Sequence, residues 1–129
     1  MVTEVTKGLT TKALGDAGEA LALAHLVRHG LTLVQRNYRV AAGPYARGGE
    51  VDLILRERDG TLVFAEVRVR RSAAQGGAAA SVTATKQRRI VYAAQHFLRK
   101  LAQLPPCRFD VVAIDNGQIE WLRGAFDAA

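Results

Sequence analysis

The feature that most constrains the fold of this 129-residue chain is a pair of apolar segments on either side of Asp59-Gly60. These segments, at about 50–56 and 61–70, are rich in Val, Leu, Ile and Phe, a composition typical of β-strands. An Asp-Gly step is a common chain reversal between such segments, because glycine readily adopts the positive φ that tight turns require. The sequence therefore predicts an antiparallel β-hairpin.

The length of the turn decides which residues of this hairpin face each other. With a two-residue loop, charged side chains would face aliphatic ones, for example Asp52 opposite Val67. A three-residue loop that begins at Arg58 shifts the register by one residue, so that Asp52 faces Glu66. A one-residue slip would move every side chain to the other face, so the three-residue loop is predicted because it makes one face uniformly apolar. That face comprises Val51, Leu53, Leu55, Val63, Ala65, Val67 and Val69.

Asp52 and Glu66, the acid pair, need a neutralising partner, because like charges directly opposite each other in a sheet are destabilising. Arg68 on the same face could supply the positive charge, which would make the group a structural salt-bridge cluster. A hard divalent ion such as Mg²⁺ could supply it too, since Mg²⁺ prefers carboxylate and water oxygens. The hairpin alone leaves both interpretations open.

Two residues outside the hairpin favour a functional site. Glu19 shares a helical stripe with Ala22 and Leu26, and a carboxylate on an apolar stripe is costly unless it meets a cation. Alternatively, Glu19 lies at the edge of that stripe and reaches water or a buried arginine. Lys86 extends the stripe of the last long helix, where it could bind a phosphate at the helix N-terminus or remain a solvated first-turn lysine.

The remaining segments complete the order α-β-β-β-α-β-β, which predicts an α/β fold with a mixed central β-sheet flanked by helices. One domain is expected over 1–129, with a flexible N-terminus at 1–10 and a mobile loop at 72–81. The helices are predicted at about 11–29, ended by Gly30, and at about 85–103, with Thr83 as N-cap and an apolar stripe from Ile90 to Leu104; the other strands are predicted at 31–40, 108–115 and 118–123.

The charge distribution suggests a polyanionic partner. The net charge is +6, and its excess lies in one stretch, 67–109, that holds nine basic residues and no acidic one. A solvated basic surface is the alternative. The single cysteine, Cys107, and the absence of an apolar run of about 20 residues favour a soluble protein of the reducing cytoplasm that does not enter membranes. The nine basic residues are Arg68, Arg70, Arg71, Lys86, Arg88, Arg89, Arg99, Lys100 and Arg108.

Asp52 on one strand, Glu66-Val67-Arg68 on the next and Glu19 on a preceding helix resemble the core of the PD-(D/E)xK nucleases. More closely, the chain resembles the YraN-like family of small bacterial proteins. The matching stretches together span roughly residues 14–126. They are Gly15–Glu19, Arg36–Arg39, Gly49–Ile54, Val63–Arg68, Lys86 with Arg89-Ile90, Arg108–Val112 and Ala125-Phe126.

The resemblance implies a restriction-endonuclease-like fold, similar to that of archaeal Holliday-junction resolvases, and by the same likeness a homodimer. It implies that Glu19, Asp52 and Glu66 bind one or two Mg²⁺ or Mn²⁺ ions and, together with Arg68, cleave phosphodiester bonds in DNA, at branched or damaged structures. The nucleic acid is expected to be bound by the basic residues Arg70, Arg71, Lys86 and Arg89.

Arg68 departs from the nuclease pattern, which has a lysine at this position. Arginine stays protonated, so it cannot take a proton from water, although it can still stabilise negative charge. Lys86 could substitute for the lysine in space. Three functions therefore stay open: a metal-dependent endonuclease, a catalytically impaired nucleic-acid-binding module on the same fold, and a protein-interaction domain in which the acidic cluster is a structural salt bridge.

Overall fold

The computed structural model describes residues 11–44, 48–70 and 82–128. Within these ranges the chain forms two helices and five strands in the predicted order. Arg71, the segments 1–10 and 72–81, and the expectations attached to them lie outside the described residues. The elements are α1 (Thr11–Arg28), β1 (Thr32–Val40), β2 (Gly49–Arg56), β3 (Leu62–Arg70), α2 (Ala84–Leu98), β4 (Cys107–Asp115) and β5 (Gln118–Phe126).

The five strands form one mixed sheet in the order β1-β2-β3-β4-β5. β3 and β4 are parallel and are connected through α2, whereas the other neighbours are antiparallel. One apolar cluster includes Ile90, Ala94 and Phe97 of α2, and a second includes Ala22 and Leu26 of α1. The predicted mixed sheet flanked by helices is therefore confirmed. In the described part of the chain, neither helix has the length and apolar character needed to cross a membrane.

The helix boundaries follow the predicted signals except at the end of α2. Gly30, with φ +96°, follows α1, and the Thr83 side chain caps α2 by accepting a hydrogen bond from the Lys86 N–H at 3.2 Å. α2 ends at Leu98 and not near 103, because the amides of Lys100 and Leu101 bond back only three residues, to the carbonyls of Phe97 and Leu98. Leu104 is consequently outside the helix and 77% exposed, so its predicted place on the buried stripe is wrong.

The hairpin between β2 and β3 has the predicted three-residue loop. The Glu57 amide donates to the Thr61 carbonyl at 2.9 Å, and Gly60 between them has φ +94°. Four consecutive pairs, from Arg56 with Leu62 to Leu53 with Ala65, confirm the predicted register.

The predicted alternation of the hairpin faces breaks at Asp52. Leu53 and Leu55 pack in the cluster with α1, but Val51, predicted on the same face, lies in the cluster with α2. At the other end of the face, Val69 is 47% exposed. The β2–β3 ladder stops at the pair Leu53 and Ala65, one residue before the acid pair. The predicted common apolar face therefore fails at Val51, whereas Val69 keeps to it, since its side chain packs against Gly18 of α1.

A left-handed residue on the neighbouring strand accompanies this break. Asn37 of β1 has φ +51°, which is uncommon outside glycine. It lies between Arg36 and Tyr38, whose partners on β2 are Leu53 and Val51, so it stands beside Asp52. The two strands thus change faces together at the position that carries the first carboxylate.

A buried ionic network connects β4, β5 and the hairpin turn. Asp110 is fully buried and accepts hydrogen bonds from the Arg108 side chain at 3.0 and 3.2 Å, from the Trp121 indole at 2.9 Å and from the Gly124 amide at 2.9 Å. Arg108 also donates to Glu57 at 2.6 Å. Each oxygen of Asp110 has a partner, so this carboxylate has a structural role.

Replacing Asp110 by alanine is expected to lower the free energy of unfolding by about 3–5 kcal/mol, because the Trp121 indole N–H and the Gly124 amide lose their acceptor and Arg108 loses one of its two carboxylate partners. Urea denaturation followed by circular dichroism measures the change. Asp127→Ala, at an exposed position, is the control and should change stability by less than about 0.5 kcal/mol. Equal losses in the two variants would contradict the structural role of Asp110.

Candidate active site

The acid pair lies where β2 and β3 separate. Glu66 is 2% exposed, and Asp52 is half-buried. Asp52 Oδ2 accepts a hydrogen bond from the Val67 N–H at 2.8 Å, just beyond the last residue pair of the ladder. A side-chain oxygen thus satisfies a backbone amide that β2 no longer pairs. The bond holds the Asp52 carboxylate against β3, next to Glu66.

Glu66 is a carboxyl in an environment that disfavours its charge. Burial, and next the charge of Asp52, raise the pKa of Glu66 to about 8. Lys86 acts in the opposite direction but does not outweigh these two effects. Among the described residues, Glu66 Oε1 has no hydrogen-bond partner although it is buried. Without a bound cation this carboxyl therefore holds a proton for much of the time at neutral pH and shares a hydrogen bond with Asp52, and a cation would bind its deprotonated form.

The stability of the metal-free protein should depend on this proton. Between the ordinary pKa of 4.5 and the folded value of about 8, the folded state binds more protons than the unfolded state. Stability is therefore expected to fall as pH rises through that window, by at most about 1.4 kcal/mol per pH unit. Denaturation in EDTA at several pH values measures this slope. Glu66→Gln should flatten it, and an unchanged slope would contradict the assignment to Glu66.

Lys86 supplies the positive charge at the acid pair. Its Nζ lies 3.4 Å from Glu66 Oε2 and 3.2 Å from Glu50 Oε1. Burial opposes the charge of Lys86, but Glu66 and Glu50 outweigh it and raise the pKa of the lysine. Burial likewise opposes the charge of Glu50, yet the hydrogen bond from Lys86 brings the pKa of Glu50 below its ordinary value. Lys86 is therefore protonated and reaches the carboxylates.

Two glycines let the helices approach the sheet closely enough to form this site. A Cβ at Gly49 would collide with the carbonyl oxygen of Arg89, so the start of β2 packs directly on the backbone of α2. A Cβ at Gly18 would collide with the side chain of Val69 on β3. Lys86 and Glu19 are thus carried by helices that contact the sheet through glycine.

Glu19 lies beside the acid pair but outside a common ligand set. Burial, and next the charge of Asp52, raise the pKa of Glu19. Its Oε1 is buried without a hydrogen-bond partner among the described residues. Across 11–44, 48–70 and 82–128, no three His, Cys, Asp or Glu side chains are grouped closely enough to hold a metal ion together. The structure therefore brings Glu19 near Asp52 without completing the predicted three-carboxylate cluster.

The predicted basic residues separate into different environments. Arg68 follows the acid pair on β3, and its Nε is buried without a partner among the described residues. Arg70 is directed to β5, where it forms an ion pair with Glu120 at 3.6 Å. The charge of Arg89 on α2 lowers the pKa of Glu50, so Arg89 lies with Lys86 at the site. The structure therefore places Lys86 and Arg89 beside Glu50, whereas Arg70 contacts Glu120 of β5.

Sequence reasoning missed two arginines of β1. Arg36 and Arg39 are exposed, and the charges of both lower the pKa of Glu19. Arg39 Nε also lies 3.8 Å from Glu50 Oε2. Basic and acidic residues are balanced in 1–66, at eight each, so a search for an excess of charge does not find them.

The fold and site define a small α/β domain in which an acid pair, at the point where the two strands of a hairpin separate, meets a lysine from the following helix. The chain belongs to a family described as "Uncharacterised protein family UPF0102", whose model matches residues 18–114. This confirms the predicted membership of a family of small bacterial proteins.

Similar proteins extend over nearly the whole chain. A UPF0102 protein of Methylibium petroleiphilum is 64% identical over 121 residues, covering 94% of this chain and 99% of the relative. One from Acidovorax sp. is 62% identical over 120 residues and covers 93% and 89%. One from Cupriavidus pinatubonensis is 61% identical over 118 residues and covers 92% and 88%.

Proposed function

We propose that the protein is a metal-dependent endonuclease that cleaves phosphodiester bonds in DNA, at branched or damaged structures. The observation that carries this proposal is a carboxyl, Glu66, that is 2% exposed, lies beside Asp52 and has the ammonium group of Lys86 within 3.4 Å. A buried carboxyl with a strongly raised pKa and a specific charge partner is typical of functional sites. The resemblance to PD-(D/E)xK nucleases gives this arrangement a chemistry.

The donor set fits Mg²⁺ or Mn²⁺. Asp52 and Glu66 offer carboxylate oxygens, and Glu66 Oε1 has no other partner among the described residues. Mg²⁺ is usually held by one or two carboxylates together with water and substrate phosphates, so the acid pair suffices. When bound, the ion would activate a water molecule and stabilise negative charge on the phosphate. Glu19 would add negative charge beside Asp52.

The protein's own cations would act on the phosphate. Lys86 is protonated, so its role is to orient the substrate and stabilise developing negative charge, and not to accept a proton. It enters from α2, whereas the nuclease pattern has its lysine on the strand of the second acid. Arg68 occupies that strand position and adds a second permanent positive charge.

The test is cleavage by the full chain of labelled linear, nicked, flapped and four-way DNA, with Mg²⁺ or Mn²⁺ and with EDTA. Cutting that requires the metal and favours one of the branched or nicked substrates is expected. No cutting of any substrate would count against the endonuclease.

A nucleic-acid-binding module without catalysis is the second candidate, and the arginine at position 68 favours it. It would show salt-sensitive DNA binding without cleavage, unchanged in Arg68→Lys.

The third candidate is a protein-interaction domain with a structural salt bridge, and the ion pairs of Lys86 with Glu50 and Glu66 favour it. In that case the protein would bind DNA no more tightly than a comparably basic protein.

A further inference from the structure

A chain of ionic contacts connects the edge of the sheet with the acid pair. Arg39 of β1 lies 3.8 Å from one oxygen of Glu50, and Lys86 lies 3.2 Å from the other. Lys86 then contacts Glu66 at 3.4 Å. Glu50 thus holds two cations, one from the edge strand and one from α2, directly beside the acid pair.

β1 presents its arginines to solvent at this edge. Among the described residues it pairs with β2 alone, and Arg36, Asn37 and Arg39 are exposed while Tyr38 is buried. In a regular strand, residues three apart point to opposite faces. The left-handed conformation of Asn37 interrupts this alternation. Arg36 and Arg39 pair with Leu53 and Glu50 of β2, on either side of Asp52, and both lower the pKa of the same carboxyl, that of Glu19. The two guanidinium groups therefore serve one region of the surface.

Neutralising the local acids does not account for these arginines. The Arg39 side chain is 75% exposed, and its contact with Glu50 is long, so the pair contributes little to stability. Glu50 already has Lys86 as a closer partner. For Arg36, the described residues show no carboxylate within ion-pair distance. Exposed guanidinium groups whose contacts with carboxylates are long or absent among the described residues are available to a phosphate, which they can bind in a bidentate manner.

We propose that Arg36 and Arg39 form a phosphate-binding surface on β1 that holds the sugar-phosphate backbone of a nucleic acid alongside the acid pair. The inference rests on the proposed function and specifies where the substrate lies. The backbone would run along the sheet edge at β1, with Lys86 and Arg89 on the α2 side of Glu50. Backbone contacts of this kind position a substrate without reading its sequence.

The experiment measures binding of fluorescein-labelled four-way and duplex DNA by anisotropy, in EDTA to prevent cutting, over roughly 50 to 200 mM KCl. Arg36→Gln/Arg39→Gln is expected to weaken binding about tenfold or more and to reduce the slope of log affinity against log salt by about two. The control, Arg56→Gln/Arg58→Gln, removes the same charge at two exposed positions near the hairpin turn. Its affinity for DNA should stay within about threefold of that of the wild type, a loss that reflects only the lower net charge.

A second variant separates charge from structure. Arg36→Lys/Arg39→Lys keeps both charges and should retain most of the affinity and the salt slope; a loss as large as in the glutamine variant would overturn the proposal. Equal weakening by the two glutamine variants would overturn it as well, while leaving nucleic-acid binding intact. Wild-type binding no tighter than that of a comparably basic protein would instead remove the proposed function, and this inference with it.

Discussion

Asp52→Asn is expected to reduce metal-dependent DNA cleavage by about 10³-fold or more, because it removes a charge from the acid pair at the point where an ion would be held. Asparagine is nearly isosteric and can still accept the hydrogen bond from the Val67 N–H, so the end of the hairpin should keep its conformation. Glu66→Gln should reduce cleavage similarly, because it removes the second carboxylate of the pair. The fold should be kept, since Glu66 is 2% exposed and glutamine fills the same volume. Single-turnover cleavage of the preferred substrate measures both.

Asp59→Asn is the matched control on the same hairpin. Asp59 lies in the exposed loop, where asparagine can also accept the hydrogen bond from the Thr61 N–H. It should cleave at the wild-type rate. Titration calorimetry with Mn²⁺ provides a second measurement that does not depend on catalysis: Asp52→Asn should lose binding that Asp59→Asn retains. If Asp52→Asn cleaved DNA at the wild-type rate, the acid pair would not be the active centre.

The second large effect is expected at Lys86. Lys86→Met should lower the cleavage rate by about 10²–10³-fold, the usual cost of removing a group that stabilises negative charge in the transition state. Methionine keeps the length and apolar stem of the side chain but loses the ammonium group that lies 3.2 Å from Glu50 and 3.4 Å from Glu66. Affinity for DNA should change much less than the rate, because other cations surround the site.

Lys100→Met makes the same chemical change just beyond α2, at an exposed position, and should leave cleavage close to the wild-type rate. Arg68→Lys restores the residue type of the nuclease pattern on β3. If Lys86 is the active cation, this variant should alter the rate far less than Lys86→Met does. The opposite order, with Lys86→Met fully active and Arg68→Lys strongly changed, would assign the role to β3.

Much of the hairpin could be predicted from its own residues. A buried sheet face tolerates no one-residue slip, so the alternation of apolar residues selected the three-residue loop and the register of Leu53 with Ala65. Gly30 and Thr83 indicated a helix end and a helix start for local reasons of backbone conformation and capping. These features depend on neighbours in the chain, which a single sequence displays.

Features that depend on contacts between distant elements were not predictable in the same way. The alternation fails at Asp52, beside a left-handed Asn37 on another strand. Arg70 counts toward the basic stretch in sequence, but its partner Glu120 comes from β5. Nothing in the local sequence around Asp110 indicates that it is buried, because its hydrogen-bond donors Trp121 and Gly124 lie on the next strand. Composition cannot reveal such pairings, because they arise only when the sheet assembles.

The sequence by itself determined that Asp52 and Glu66 lie on adjacent strands of one hairpin, since turn length and apolar alternation are local properties. It left open which cation accompanies them, and Arg68 was the nearest candidate along the chain. Only the tertiary structure decided that Lys86, twenty residues after Glu66, lies within 3.4 Å of it, and that Arg39 of the edge strand shares Glu50 with that lysine. The physical reason is that a buried carboxyl is neutralised by whichever charge the packing of helix on sheet brings within a few ångströms.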